Sequence, residues 1–381
     1  MNFEFATSSR IVFGAGKLNE IGGIAAEYGR RALVVVYASV ERARPLLDQL
    51  DAAQIAYTTF PVSHEPDIAL VQAGVRQFNE SGAEMVIGMG GGSVIDAGKA
   101  IASLAANPGD IFNYLEVIGK GQKLSQPSKP YIAIPTTAGT GAEVTRNAVV
   151  SSPEHKLKVS LRSPSMLPKV ALVDPELTYN LPPAITAATG MDAITQVIEP
   201  YVSNAANPIT DAVAFKGILL GTSAIRLAYH DGDRDARERM ALTSLFGGLS
   251  LANAKLGAVH GFAGVIGGMF DAPHGAICAR LLPLVMEMNI RALLERDRDN
   301  PILARYGDIA RVISGEYLEF NGAAWFAELA RELEIPPLGA YGVTQSHIAE
   351  IVSKSKNASS MKGNPITLTD DELTEIMHRA L

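Results

Sequence analysis

The chain has 381 residues, 47% of them hydrophobic and 19% charged, with a formal net charge of −7. That length exceeds one ordinary core and points to two domains. An acidic chain with no long basic run excludes an electrostatic footprint for nucleic acid and is repelled by an anionic membrane surface.

The start, MNFEFATSSR, lacks the basic-then-apolar form of a secretory leader. No uninterrupted apolar stretch reaches the roughly 18 residues of a membrane span. Further in, Phe13-Gly14-Ala15-Gly16 looks like the opening of a dinucleotide fingerprint. Position 19 is Asn, however, where a third glycine would stand, so the segment reads as a turn.

Short apolar runs follow at Arg31–Tyr37 (RALVVVY), 85–89 (MVIGM), 131–134 (YIAI) and Val170–Val173 (VALV). Each has the continuous apolar form of a strand buried on both faces. Between them, Ile68–Glu80 and residues 94–105 have helical patterning. The alternation predicts a mainly parallel sheet with helices on both faces. After Asp174-Pro175 helix formers dominate, and residues 211–228 and 236–255 repeat at helical spacing. Leu181-Pro182-Pro183 breaks any running element. The expected domains are therefore an α/β domain over residues 1–180 and an all-α domain over 181–381.

Residues 88–99 (GMGGGSVIDAGK) leave a predicted strand and open a predicted helix. Consecutive glycines let backbone N–H groups approach a pyrophosphate, and the helix N-terminus adds partial positive charge. A tight turn would also use glycine, but three glycines and Ser93 exceed what a turn needs. Residues 135–145 (PTTAGTGAEVT) follow the next strand. Alone they are a capped turn; beside the first loop they form the second wall of a nucleotide site, at the sheet end where such folds bind ligands.

In the second half, Asp192 and Gln196 stand four residues apart, on one face of a predicted helix. His260 and His274 come later. A carboxylate and two imidazoles suit Zn²⁺ or Fe²⁺ with an open position for substrate, and Gln196 offers a weak neutral oxygen. Their spacing carries no signal of its own, and satisfied core histidines give the same pattern. His64, His155, His230, His347 and His378 lie in polar contexts. Cys278 is the one cysteine, which permits no internal disulfide and fits a reducing cytoplasm; it reads equally as a small buried hydrophobe or a reactive thiol.

Taken in order, the segments 11–16 (IVFGAG), 90–100, 135–150, 188–203 (ATGMDAITQVIEPYVS), 256–283 (LGAVHG to DAPHGAICARLLP) and Asn364-Pro365 resemble the iron-containing alcohol dehydrogenase family, group III, of the dehydroquinate-synthase-like superfamily. The resemblance implies a Rossmann-like N-terminal domain, an all-helical C-terminal domain, and hydride transfer between NAD(P) and an alcohol or aldehyde. It implies Asp192, His260 and His274 as metal ligands, with Gln196 at a position that is usually His, and it makes His274 essential to turnover. It assigns Gly91, Gly92, Ser93 and Asp96 to the pyrophosphate loop and Thr136, Thr137 and Thr140 to the second loop. Asn147 and Lys158 match positions beside the nicotinamide and its ribose, Asn147 close to the reaction. A homodimer or larger homo-oligomer is implied too.

Three positions depart from the family pattern. Gln196 replaces an imidazole and favours looser, oxygen-tolerant coordination. Gly264 stands where many members carry a second cleft histidine, which removes a proton relay. The strand 31–37 is followed by Ala38-Ser39, with no acid to meet the adenosine ribose. NADP is therefore not repelled, and Ser39 or Arg42 is available to a 2′-phosphate. The runner-up function is a metal-independent oxo-acid reductase resembling maleylacetate reductases, which the loss of His at 196 favours and Asp192 opposes. A phosphosugar cyclase resembling dehydroquinate synthase would need more cleft cations than Arg280 supplies, and a silent nucleotide-binding protein would show tight cofactor binding without turnover.

Overall fold

The computed structural model describes residues 2–38, 40–155, 157–315 and 317–381. Ser39 lies outside them. The chain forms two compact units. One comprises Ala6–Thr137 and Gly141–Tyr179; the other comprises Asn180–Leu381 together with residues 2–5 and Ala138–Thr140.

The first unit runs β1 (Arg10–Phe13), α1 (Ile21–Ala26), β2 (Arg31–Tyr37), α2 (Arg44–Ala52), β3 (Ala56–Val62), α3 (Ile68–Glu80), β4 (Met85–Gly90), α4 (Gly92–Leu104), β5 (Tyr131–Pro135), β6 (Asn147–Ser152), β7 (Leu157–Arg162) and β8 (Val170–Val173). Six strands form a parallel sheet in the order β1-β8-β5-β4-β2-β3. The apolar run of β2 divides by parity: Ala32, Val34 and Val36 join one core with Ile21, Leu46 and Leu50, while Leu33 and Val35 join another with Phe78, Val94 and Ile101. Burial on both faces is why the run is continuous. By contrast β3 is an edge strand. It contains Pro61 and alternates in exposure, so no continuous run announces it. The antiparallel pair β6–β7, equally absent from the sequence expectations, sits apart from the main sheet.

The strand order reverses between β2 and β4: β2 leads on to β3 at one edge, and β4 leads to β5 on the other side. That switch point puts the loop after β4 at the crevice where open α/β sheets bind ligands. The Gly14–Gly16 segment is a turn, with φ of 144° and 75° at its two glycines; Asp174 accepts hydrogen bonds from the Gly16 and Leu18 amides at 3.1 and 2.9 Å.

The second unit is helical among its described residues: α5 (Pro183–Tyr201), α6 (Pro208–His230), α7 (Arg234–Asn253), α8 (Ala258–Met269), α9 (His274–Arg296), α10 (Ile302–Ser314), α11 (Glu319–Glu332), α12 (Ile348–Ser355) and α13 (Asp370–Ala380), with short 3₁₀ turns. Pro183 opens α5 at a position where a missing N–H is harmless. By length and composition α6 is able to cross a membrane. Here it packs along α5 and α7, and its Asp211 holds Arg305 of α10 through two bonds of 2.6 and 2.8 Å. The central element is α5. From Gly190 to Tyr201 every residue is buried, yet Asp192, Gln196 and Glu199 are among them. Buried polar groups demand partners.

Candidate active site

In the sheet unit, Gly91 links β4 to α4 with φ −74° and ψ −173°. Any residue adopts that conformation, so glycine is not there for its own backbone. A Cβ at Gly91 would meet nothing nearer than Thr137, at 3.5 Å. Gly91 thus keeps clear the space above an α4 N-terminus that no side chain caps. Gly92 and Ser93 begin the helix, half-buried. The first amides of a helix without a side-chain cap suit a diphosphate. The role of Gly98 is different: a Cβ there would come within 2.6 Å of the Tyr131 ring, so it serves helix–strand packing.

The Thr136 amide donates to the Gly90 carbonyl at 2.9 Å, which brings the second loop, with Thr137, beside the first. Behind both lies Lys99, fully buried. Its Nζ donates to the carbonyls of Ala142 and Asn147 at 2.9 and 2.5 Å and to Thr145 Oγ1 at 2.8 Å. Asp96 Oδ1 is 3.2 Å from that nitrogen, and Asp96 Oδ2 accepts from the Val149 amide at 3.1 Å. Asp96 therefore braces the floor of the loop. Asn147 opens β6, and Lys158 on β7 pairs with Glu65. In the hairpin register Asn147 faces Arg162 and Lys158 faces Ser151, so the two lie four residues, about 13 Å, apart along the strand. The hairpin does not gather them at one point.

In the helical unit, Asp192 from α5, His260 from the first turn of α8, and His274 at the start of α9 converge, joined by Cys278 one turn along α9. One ligand atom from each lies within 4.8 Å of the others. Asp192 Oδ1 is 3.4 Å from His260 Nε2 and 3.8 Å from His274 Nε2. Gly275 allows the approach, because a Cβ there would strike the Ala188 carbonyl of α5. Asp192 Oδ1 is buried and has no hydrogen-bond partner among the described residues. His260 is oriented: its Nδ1 donates to Glu199 Oε2 at 2.6 Å, which leaves Nε2 facing Asp192. Glu199 in turn accepts the Val259 amide at 2.7 Å, and Asn364 accepts the Ala258 amide at 3.1 Å, fixing the start of α8. A carboxylate holding the far nitrogen of an imidazole is the usual support of a metal-binding histidine.

The electrostatics agree. Burial by itself would raise the Asp192 pKa, but His274, His260 and Cys278 outweigh it and the pKa falls. Burial by itself would lower the His260 pKa, yet Cys278, Asp192 and Glu199 drive it well above the usual imidazole value; His274 is also raised, against burial, by Cys278 and Asp192. The pocket favours positive charge, and an orphaned carboxylate oxygen facing two imidazole nitrogens fits a divalent cation.

Gln196, one turn after Asp192, has its amide nitrogen committed to the Gly139 carbonyl at 2.7 Å, within the Ala138–Thr140 segment that belongs to this unit; Thr140 ends that segment. Glu199 and Lys99 have roles here that the sequence analysis does not assign, Asn364 enters it only as part of a family segment, and Cys278, read there as a buried hydrophobe or a reactive thiol, joins the cluster. A signal existed for two of them. Glu199 follows Asp192 at i+7 and Cys278 follows His274 at i+4, both same-face spacings on a helix.

Residues 8–175 match the family described as iron-containing alcohol dehydrogenase, and residues 186–381 match its C-terminal domain family. The chain belongs to the iron-containing alcohol dehydrogenase family. This dehydrogenase is 36% identical to alcohol dehydrogenase 4 of Saccharomyces cerevisiae over 377 residues, covering 97% of this chain and 96% of the yeast one. It is similar in structure to a 1,3-propanediol oxidoreductase, with TM-score 0.92, 31% identity and all of both chains covered. It is also similar to sulfoacetaldehyde reductase from Bifidobacterium kashiwanohense in complex with NAD⁺, with TM-score 0.87, 30% identity, and 99% of this chain and 98% of that one covered. The dehydrogenase is an NAD(P)-linked oxidoreductase of alcohols and aldehydes that uses a divalent metal.

Proposed function

We propose that this dehydrogenase interconverts short-chain polar alcohols and aldehydes. Asp192, His260 and His274 hold the metal; Gly91, Gly92, Ser93, Thr136, Thr137 and Thr140 hold the NAD(P) phosphates; Asn147 serves the nicotinamide, and Lys158, further along the hairpin, reaches for the ribose through its long side chain. The observation that carries this reading is the buried Asp192 Oδ1, without a hydrogen bond among the described residues, facing two imidazole nitrogens. When bound, the cation supplies a Lewis acid for the substrate oxygen, while the nicotinamide gives or takes the hydride.

The chain's own residues set the rest. Glu199 fixes the tautomer of His260. The His274 side chain is about one third exposed, so the cluster is open on its side. Gly264, one turn after His260, is exposed and a Cβ there would meet nothing within 4 Å. No side chain relays a proton from that position, so solvent carries it, and the vacant space admits a substrate's polar tail. Relatives named for 1,3-propanediol and sulfoacetaldehyde support a small polar substrate.

His274→Ala is expected to lower kcat/KM on the order of 10²–10⁴-fold, the several kcal/mol that a Lewis acid contributes, while NAD(P)H still quenches protein fluorescence with near-unchanged affinity. Unchanged turnover in that variant, or after rigorous chelation, overturns the reading in favour of the metal-independent reductase.

We further propose a cytoplasmic homodimer or larger homo-oligomer. The single buried cysteine supports the compartment. Outward-facing Ile209, Leu219 and Leu227 on α6 offer apolar area to a second copy. A monomer by light scattering at assay concentration would remove the oligomer.

A further inference from the structure

We propose that Cys278 is itself a ligand of the metal, completing an Asp192-His260-His274-Cys278 set, and that its thiolate biases the site toward Zn²⁺ over Fe²⁺. This rests on the reading above that the cluster holds the metal.

The spacing carries the proposal. Cys278 Sγ lies 3.7 Å from His274 Nε2 and 3.9 Å from His260 Nε2. Asp192 Oδ1 lies 3.4 and 3.8 Å from the same two nitrogens. A tetrahedral ion with zinc-like bonds to nitrogen, oxygen and sulfur sets its ligands about 3.3–3.6 Å apart. These four distances equal the edges of such a tetrahedron or exceed them by a few tenths of an ångström, and all four atoms lie within 4.8 Å of one another. The Asp192–imidazole separations are long for hydrogen bonds, and the Cys278–imidazole ones are at the outer reach of sulfur hydrogen bonds. Cys278 is fully buried, and the Asp192 oxygen that faces the same point has no hydrogen-bond partner among the described residues. A thiol serving only as core filler would not need to face a carboxylate oxygen without a hydrogen bond and two imidazole nitrogens.

Four protein ligands still leave access for substrate on the His274 side, where the side chain is about one third exposed, because zinc accepts a fifth ligand during reaction. A soft thiolate favours zinc, and the divalent affinity order already places Zn²⁺ above Fe²⁺. On binding, the thiol gives its proton to solvent.

The test uses the full-length protein stripped of metal and reloaded with Co²⁺. The expected spectrum has visible d–d bands and a near-ultraviolet sulfur-to-cobalt charge-transfer band. In Cys278→Ser and Cys278→Ala the charge-transfer band is lost while the visible bands persist. Zn²⁺ affinity in Cys278→Ala is expected to fall by more than the roughly 10–100-fold that loss of an outer-shell partner costs, and the preference for Zn²⁺ over Fe²⁺ from an equimolar mixture should shrink. Visible bands without a charge-transfer band in the wild-type protein overturn the ligand assignment and leave the metal reading standing. Absence of all cobalt bands overturns both. The wild-type spectrum decides even if a buried-cysteine variant does not fold.

Discussion

Each unit buries a knot of ionisable side chains, and the two knots are finished differently. In the sheet unit Lys99 meets two carbonyls, a hydroxyl and the Asp96 carboxylate, and Glu143 lies buried near it. In the helical unit Asp192, His260, His274 and Cys278 gather around a point and leave Asp192 Oδ1 without a hydrogen bond among the described residues. A buried charge whose bonds are all made braces the fold. One whose bonds are left open costs stability until something else fills them. The same residue chemistry is structural in one unit and ligand-binding in the other.

The sharpest way to break that contrast is Lys99→Met. It strips four partners at once and leaves Asp96 uncompensated, so urea denaturation should register a loss of about 3–5 kcal/mol. A metal-free His274→Ala protein, by contrast, should unfold close to the wild-type midpoint. Equal losses in the two variants would erase the distinction.

A smaller effect comes from Glu143, whose carboxyl is pushed by burial from 4.5 to about 7, against its own backbone hydrogen bond and the pull of Lys99. The folded state holds this proton more tightly than the unfolded chain does. Its contribution to stability is therefore complete below about 4.5 and is lost as pH rises through about 7. Glu143→Gln should flatten that pH dependence, by up to about 3 kcal/mol across the window, as read by denaturation at a series of pH values. An unaltered profile would mean that Glu143 stays ionised beside Lys99. Least of all should Gly264→Ala matter to the fold: α8 gains up to about 1 kcal/mol from helix propensity, with cobalt binding unchanged. A loss of metal there would show that the open side of the cluster is less permissive than its geometry indicates.

Reading the sequence was most successful where structure is local. The β2 run and the Gly90–Gly92 turn each occupy a few consecutive residues, and their backbone geometry is dictated within that span. The edge strand β3, broken in pattern by Pro61, and the hairpin β6–β7 lack a continuous apolar signature because neither is buried on both faces. Asp192, His260 and His274 were named by family resemblance and not by spacing. Neither Glu199 nor Cys278 is marked as part of a metal cluster by the sequence, because a glutamate on a helix and a lone cysteine look ordinary in one dimension.

The amino-acid order by itself determined the parallel sheet, the helical second half and the glycine loop, since strand burial, helix periodicity and glycine's missing Cβ are properties of neighbouring residues. Only the tertiary structure decided which buried polar groups are partnered. That outcome depends on α5, α8 and α9 meeting at one point, with Gly275 permitting the last approach. Convergence across more than eighty residues is fixed by packing, and no local pattern encodes it.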